Sequence, residues 1–186
     1  MKVAVLRIGP VDEGVIEHIR RVLREVLPGT STVLLREVMS LPLEAYNAPR
    51  DQYNSSILLS KLQPLAVESG ADRLLGVTGA DLYVPSMNFV FGEAHPRWGV
   101  AVVSLHRLRP EFYGQAPDEG LFLERCAKEA IHEIGHTLGL GHCDDPRCVM
   151  SFSNSILETD RKGIDFCSEC RSKVLRVLRA SGTLLP

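Results

Sequence analysis

Three histidines and a glutamate stand in the run His132-Glu133-Ile134-Gly135-His136-Thr137-Leu138-Gly139-Leu140-Gly141-His142. Residues four apart on a helix face the same way, so a helical segment would let His132 and His136 reach one metal ion. Glu133 is turned about 100° from His132 and reaches water on that ion rather than the ion itself. Gly139 permits the positive φ with which a chain leaves a helix, and a turn back can bring His142 under the same metal. Three neutral imidazoles leave one corner of a tetrahedron open, which is the requirement of a catalytic zinc site.

A second cluster begins at the next residue. Cys143, Cys148, Cys167 and Cys170 are spaced C-x4-C and then C-x2-C, and no cysteine precedes Cys126. Two such pairs at this separation suit a closed, structural tetrathiolate zinc. Two alternatives are a redox pair at Cys167 and Cys170 and buried free thiols that bind nothing; the redox reading needs the pair at a helix N-terminus near a βαβ unit and leaves Cys143 and Cys148 without a role. Because His142 and Cys143 are neighbours, a structural site here would clamp the loop that presents the third histidine. Two zinc ions per chain are the expectation, one catalytic and one structural.

These residues need a scaffold, and the pattern of the chain supplies one. Residues 3–8 read as a buried strand ended by Gly9-Pro10, and apolar residues at Val15, Ile16, Ile19, Val22, Leu23 and Val26 mark a helix. Residues 32–38, 74–77 and 99–105 read as strands, as does 88–91. A helix is expected over 56–69, bent or interrupted before Pro64. Asp118 is placed to cap a long helix running to about Gly139, with Leu123, Ala127, Ala130, Ile134 and Leu138 as its inner stripe. Residues 41–54 and 84–88 read as loops, and 173–178 as a short amphipathic helix. Strands alternating with helices predict an α/β fold, a mostly parallel sheet covered by helices, and the short gap between the last two strands predicts one antiparallel edge.

The 186 residues suit a single domain spanning 1–186, in which 1–142 carry the sheet, helices and metal-binding helix, and 143–186 the cysteines and a final helix. A hydrophobic content of 45% allows a sizeable core, and 21 basic against 23 acidic residues give no global field to attract nucleic acid or an anionic membrane. The opening apolar run of four residues before Arg7 is too short for a secretory signal core. Clustered thiols without an export signal point to a reducing cytoplasm and to metal ligation.

The string His132-Glu133-x-x-His136-x-x-Gly139-x-x-His142-Cys143-x4-Cys148-x-Met150, followed by Cys167-x-x-Cys170, resembles the archaemetzincin family of the metzincin clan of zinc metalloproteases. Residues 75–91 resemble the family as well. The resemblance implies a metzincin-like twisted sheet with its antiparallel edge strand, the segment around 88–91, above the active-site helix. It implies a methionine turn at Met150 as an apolar floor under the histidines, and a pocket wall at 151–156. Two departures stand out: sixteen residues rather than seventeen separate Met150 from Cys167, and Phe152 stands where some metzincins carry a tyrosine.

The expected activity is hydrolysis of peptide bonds in a peptide or protein substrate, with zinc on His132, His136 and His142 and with Glu133 taking a proton from zinc-bound water. Two other readings compete with it. One is a catalytically silent zinc-binding pseudoprotease. The other is a zinc-stabilised interaction module using Arg161, Lys162, Arg171, Lys173, Arg176 and Arg179, whose charge is diluted by Glu158, Asp160, Asp165 and Glu169. A monomer without nucleic-acid or membrane partners is expected.

Overall fold

The structure is a computed structural model and describes residues 1–183. In chain order its strands are β1 (Lys2–Ile8), β2 (Ser31–Met39), β3 (Tyr46–Asn47), β4 (Gln52–Asn54), β5 (Arg73–Thr78), β6 (Leu82–Tyr83), β7 (Gly92–His95) and β8 (Val100–Ser104). Its helices are α1 (Glu13–Val26), α2 (Ser55–Ser69), α3 (Glu119–Thr137), α4 (Ile156–Arg161) and α5 (Ser168–Ala180).

Five strands form the main sheet in the order β2-β1-β5-β8-β7, parallel throughout except for β7, which runs antiparallel to β8. The alternation of side chains splits each inner strand between two cores. Val3, Val5, Leu75, Val77, Ala101 and Val103 pack on one face with α1 and α3. Ala4, Leu6, Ile8, Leu74, Val100 and Val102 pack on the other with Leu58, Leu59 and Leu62 of α2. The apolar residues that mark α1 in sequence are its buried stripe, and Asp12 caps it by accepting from the N–H groups of Gly14 and Val15. Cys148, Val149, Met150, Phe166, Val174 and Leu178 belong to the same core cluster as α1 and α3, so the cysteine-bearing segment has no core of its own.

Four details differ from the sequence pattern. The antiparallel edge strand is β7 (Gly92–His95), not the apolar run 88–91. Phe89, Val90 and Phe91 carry the apolar signal because they pack: Phe91 is buried, and Val90 bridges to Leu82 of a second small sheet. That sheet, β3-β4-β6, lies largely within the segment read as a loop; its strands are two or three residues long and leave no periodicity to detect. Helix α2 runs unbroken through Pro64. Pro64 sits on its exposed face, and so does Ser60, whose carbonyl loses its helical donor to the proline and can turn to water. Helix α5 spans Ser168–Ala180, more than twice the expected segment, because Cys167 and the polar first turn extend it toward the thiols.

Helix α3 begins where Asp118 accepts from the N–H of Leu121, and it ends at Thr137; Gly139 then takes φ +87°. From Arg125 to Gly135 every residue is buried, so the helix has no solvent face over three turns. Arg125 and Glu129 are paired by α4 and the residue after it, and Lys128 by Glu124 one turn earlier. Arg125 holds Asp160 through two bonds of 2.7 Å, and Glu129 takes Lys162 at 2.9 Å and the Thr159 hydroxyl at 3.0 Å. Lys162 counts among the basic residues expected at the surface, yet it is fully buried.

Candidate active site

Helix α3 and the turn after it bring His132, His136 and His142 to one point. The Nε2 atoms of His132 and His136 are 3.0 Å apart, and one ring nitrogen from each histidine lies within 4.8 Å of the others. The outer nitrogens of His132 and His136 are occupied. Nδ1 of His132 donates to the Val149 carbonyl at 2.8 Å, and Nδ1 of His136 donates to the Leu140 carbonyl at 2.8 Å. A proton held on Nδ1 leaves the Nε2 lone pair free, and such carbonyl partners fix ring orientation in metal sites. Burial pushes the His132 pKa well below its ordinary value, and the Lys162 ammonium adds to the effect. His136 and His142 are lowered first by burial too. Neutral imidazole is the ligand form, so the donor set fits zinc with an open position.

Glu133 follows His132 and is 5% exposed. Its Oε2 is buried and has no hydrogen-bond partner. Burial raises its pKa well above the carboxylate range, with Glu129, one turn earlier, raising it further and Lys162 opposing. The backbone of β7 lies directly over this side chain: a Cβ at Gly92 would sit 2.6 Å from Glu133 Cγ and 2.7 Å from its Oε1. Beneath the helix, Met150 is fully buried with its sulfur against Gly135, where a Cβ would collide with it. Met150 thus lies under the turn that separates His132 from His136.

These groups open into a cleft of about 510 Å³. One wall is residues 84–91 and β7, the other Phe152, Ser153 and Asn154, and the floor is Glu133 with the three histidines. The Phe152 ring is 4.9 Å from that of His142. The outer edge of β7 faces this cleft with open backbone groups. Leu74 donates to Gly99 and Leu105 to Thr78, so odd-numbered residues of β8 bond β5 and even-numbered ones bond β7. Ser104 donates to Phe91 accordingly, which pairs Phe91, Glu93 and His95 with β8 and leaves the N–H and C=O of Gly92 and Ala94 on the free edge.

The four cysteines converge as well, their sulfurs all within 4.8 Å of one another and none in a disulfide. Cys143 and Cys167 Sγ are 3.8 Å apart, and the Cys167 N–H donates to Cys148 Sγ at 3.3 Å. Cys167 is the N-cap of α5, and the Cys170 N–H there holds its pKa down. That placement is the one a redox pair requires, but Cys143 and Cys148 complete a four-sulfur cage, a donor set that fits a closed tetrahedral metal. Spacing alone pointed to all seven ligand candidates. Gly92, Ala94, Glu129 and the Val149 carbonyl were not legible; backbone atoms and contacts between distant segments have no sequence signature.

Residues 4–176 match the profile of the family described as Peptidase family M54. An archaemetzincin from Methanocaldococcus jannaschii is 42% identical over 174 residues, covering 94% of this chain and 93% of that one. The crystal structure of an archaemetzincin from Methanopyrus kandleri superposes with a TM-score of 0.83 at 39% identity over 96% of both chains. That of a zinc-dependent peptidase from Methanocorpusculum labreanum gives 0.84 at 34% identity, covering 92% of this chain and 99% of the other. The chain belongs to peptidase family M54 and is a zinc metallopeptidase related to the archaemetzincins.

Proposed function

We propose that His132, His136 and His142 hold the catalytic zinc, that Glu133 is the proton acceptor and donor of peptide hydrolysis, and that Cys143, Cys148, Cys167 and Cys170 hold a second, structural zinc. When bound at the histidines, zinc supplies Lewis acidity: it acidifies water and polarises a carbonyl. The remaining work falls to the chain. An extended peptide adds to the free edge of β7, its main chain exchanging hydrogen bonds with Gly92 and Ala94. This seats the scissile carbonyl over Glu133. Its unpartnered Oε2 takes the proton of the attacking water and returns it to the leaving amine. Phe152, Ser153 and Asn154 confine the residue on the leaving side. Met150 supports the helix from below and makes no contact with substrate.

The observation that carries this reading is the convergence of three neutral imidazoles on one point beside a buried carboxylate whose second oxygen has no protein partner. A silent pseudoprotease is the weaker reading, because two of the three histidines carry the carbonyl support that strengthens metal binding. The interaction-module reading keeps only part of its basic surface: Lys162 is buried on Glu129, Arg171 pairs with Asp165 and Lys173 with Glu169, which leaves Arg161, Arg176 and Arg179 as its exposed cations. No helix among the described residues is long and apolar enough to cross a membrane. We place the protein in the cytoplasm, where reduced thiols persist, acting as a monomer on peptides with no nucleic-acid or membrane partner. Glu133→Gln tests the assignment. Loss of the acid–base group should lower kcat by about 10²–10⁴-fold with both zinc ions retained, and wild-type turnover in this variant would refute it.

A further inference from the structure

We propose that the four-thiolate site governs zinc affinity at the three histidines, acting through residues 148–151; the inference rests on the two-zinc reading above. Two of the three histidine ligands are anchored to the cysteine scaffold. The Val149 carbonyl that orients His132 lies between Cys148 and Met150, and the Val149 N–H is held in turn by the Asp165 carbonyl at 2.9 Å, two residues before Cys167. The Gly163 N–H bonds the Arg147 carbonyl at 2.8 Å, and the Cys167 N–H bonds Cys148 Sγ. The support of His132 is therefore a strut between the two cysteine pairs.

His142 is attached more directly, as the residue before Cys143. Its ring makes no hydrogen bond among the described residues, so its place depends on its backbone. That backbone is held by the Cys143 N–H on the Met150 carbonyl at 2.9 Å and by the bridge between Cys143 and Ser151. His136 differs, because its carbonyl partner Leu140 lies within its own helix-ending turn. With the thiolate cage empty, the segments at 143–151 and 163–170 lose their metal cross-link and are left with these few backbone bonds. The His132 partner and the His142 backbone then lose definition together, while His136 keeps its place.

Loss of outer partners typically weakens metal binding by 10- to 100-fold. Reciprocity follows: an occupied histidine site strengthens zinc binding at the thiolates by the same factor.

The test measures zinc affinity at the histidines by chelator competition in the wild type and in Cys167→Ser, where serine is a favourable N-cap residue for α5. Cobalt substitution reports the two sites separately, since thiolate and imidazole environments absorb differently. The proposal expects Cys167→Ser to keep its far-UV circular dichroism, to lose the thiolate signal, and to bind zinc at the histidines about 10- to 100-fold more weakly. Wild-type affinity at the histidines in this variant overturns it. Should the variant not fold, titration of wild-type thiols with an organomercurial, followed by an indicator for free zinc, decides. After blocking, an ion that an added chelator removes with about 10- to 100-fold weaker apparent affinity than from unblocked protein supports the coupling, and wild-type affinity of that ion overturns it. A wild type that binds only one zinc overturns the two-zinc reading itself, an outcome distinct from failure of the coupling.

Discussion

Replacing Gly92 by alanine should cripple catalysis while leaving both proposed metal sites intact. A Cβ there would lie 2.6 Å from Glu133 Cγ, 2.7 Å from Glu133 Oε1 and 2.7 Å from the Val102 carbonyl. Carbon contacts settle near 3.5–4.0 Å, so about 1 Å of relief is needed. The strand cannot supply it freely, because Val102 belongs to β8 and bonds β7 from behind. The yielding partner is the Glu133 side chain, which is already enclosed. Misplacing a reacting group by about 1 Å costs on the order of 10²-fold, close to 2.7 kcal/mol at 1.36 kcal/mol per decade. The assay is kcat/KM on a peptide substrate, with zinc content and thermal unfolding measured on the same preparation. A fall of about a hundredfold with zinc unchanged is expected. Wild-type kcat/KM in Gly92→Ala would refute the claim that the bare backbone of β7 positions Glu133.

Two further outcomes follow from the buried charges and imidazoles. Lys162→Met leaves Glu129 buried without its cation and should destabilise the fold by about 3–5 kcal/mol in urea unfolding. Adding Glu129→Leu should recover most of that loss; a single variant as stable as the wild type would deny the pair its role. The metal-free protein should lose stability as pH falls below 6.5, the ordinary histidine value. Burial lowers the pKa of all three histidines, so on acidification the unfolded chain takes up protons first and folding weakens from there down to the folded-state values. Above 6.5 their slope fades over about one pH unit. Chemical denaturation of Glu133→Gln, in which the raised carboxyl of Glu133 no longer adds a slope of opposite sign, checks this from pH 7.5 to 5, and rising stability at the acid end would contradict it.

What could be read in sequence was what is local. The i, i+4 histidines, the glycine that ends their helix and the paired cysteine spacings encode their geometry within short segments. The buried parallel strands announced themselves because they are apolar on both faces. Strand β7 did not: Gly92-Glu93-Ala94-His95 has one partnered edge and no apolar pattern, while the neighbouring Phe89, Val90 and Phe91 imitate a strand by packing. The burial of the charges of α3 has no local signal either. Arg125, Lys128 and Glu129 have the composition of a solvated face, yet they are buried: Arg125 and Glu129 find Asp160 and Lys162 some thirty residues later, and Lys128 finds Glu124 one turn earlier. The small sheet β3-β4-β6 rests on pairings between segments whose own strands are too short to register.

Metal stoichiometry tests the central claim most directly. Wild-type protein, purified without chelator and supplied with zinc, should hold two zinc ions per chain, and His136→Ala should hold one while keeping the circular dichroism of the wild type. Two ions in both proteins would show that His136 is not a ligand. One ion in both would show that the histidines, though gathered around a single point, do not bind the metal on which the proposed hydrolysis depends.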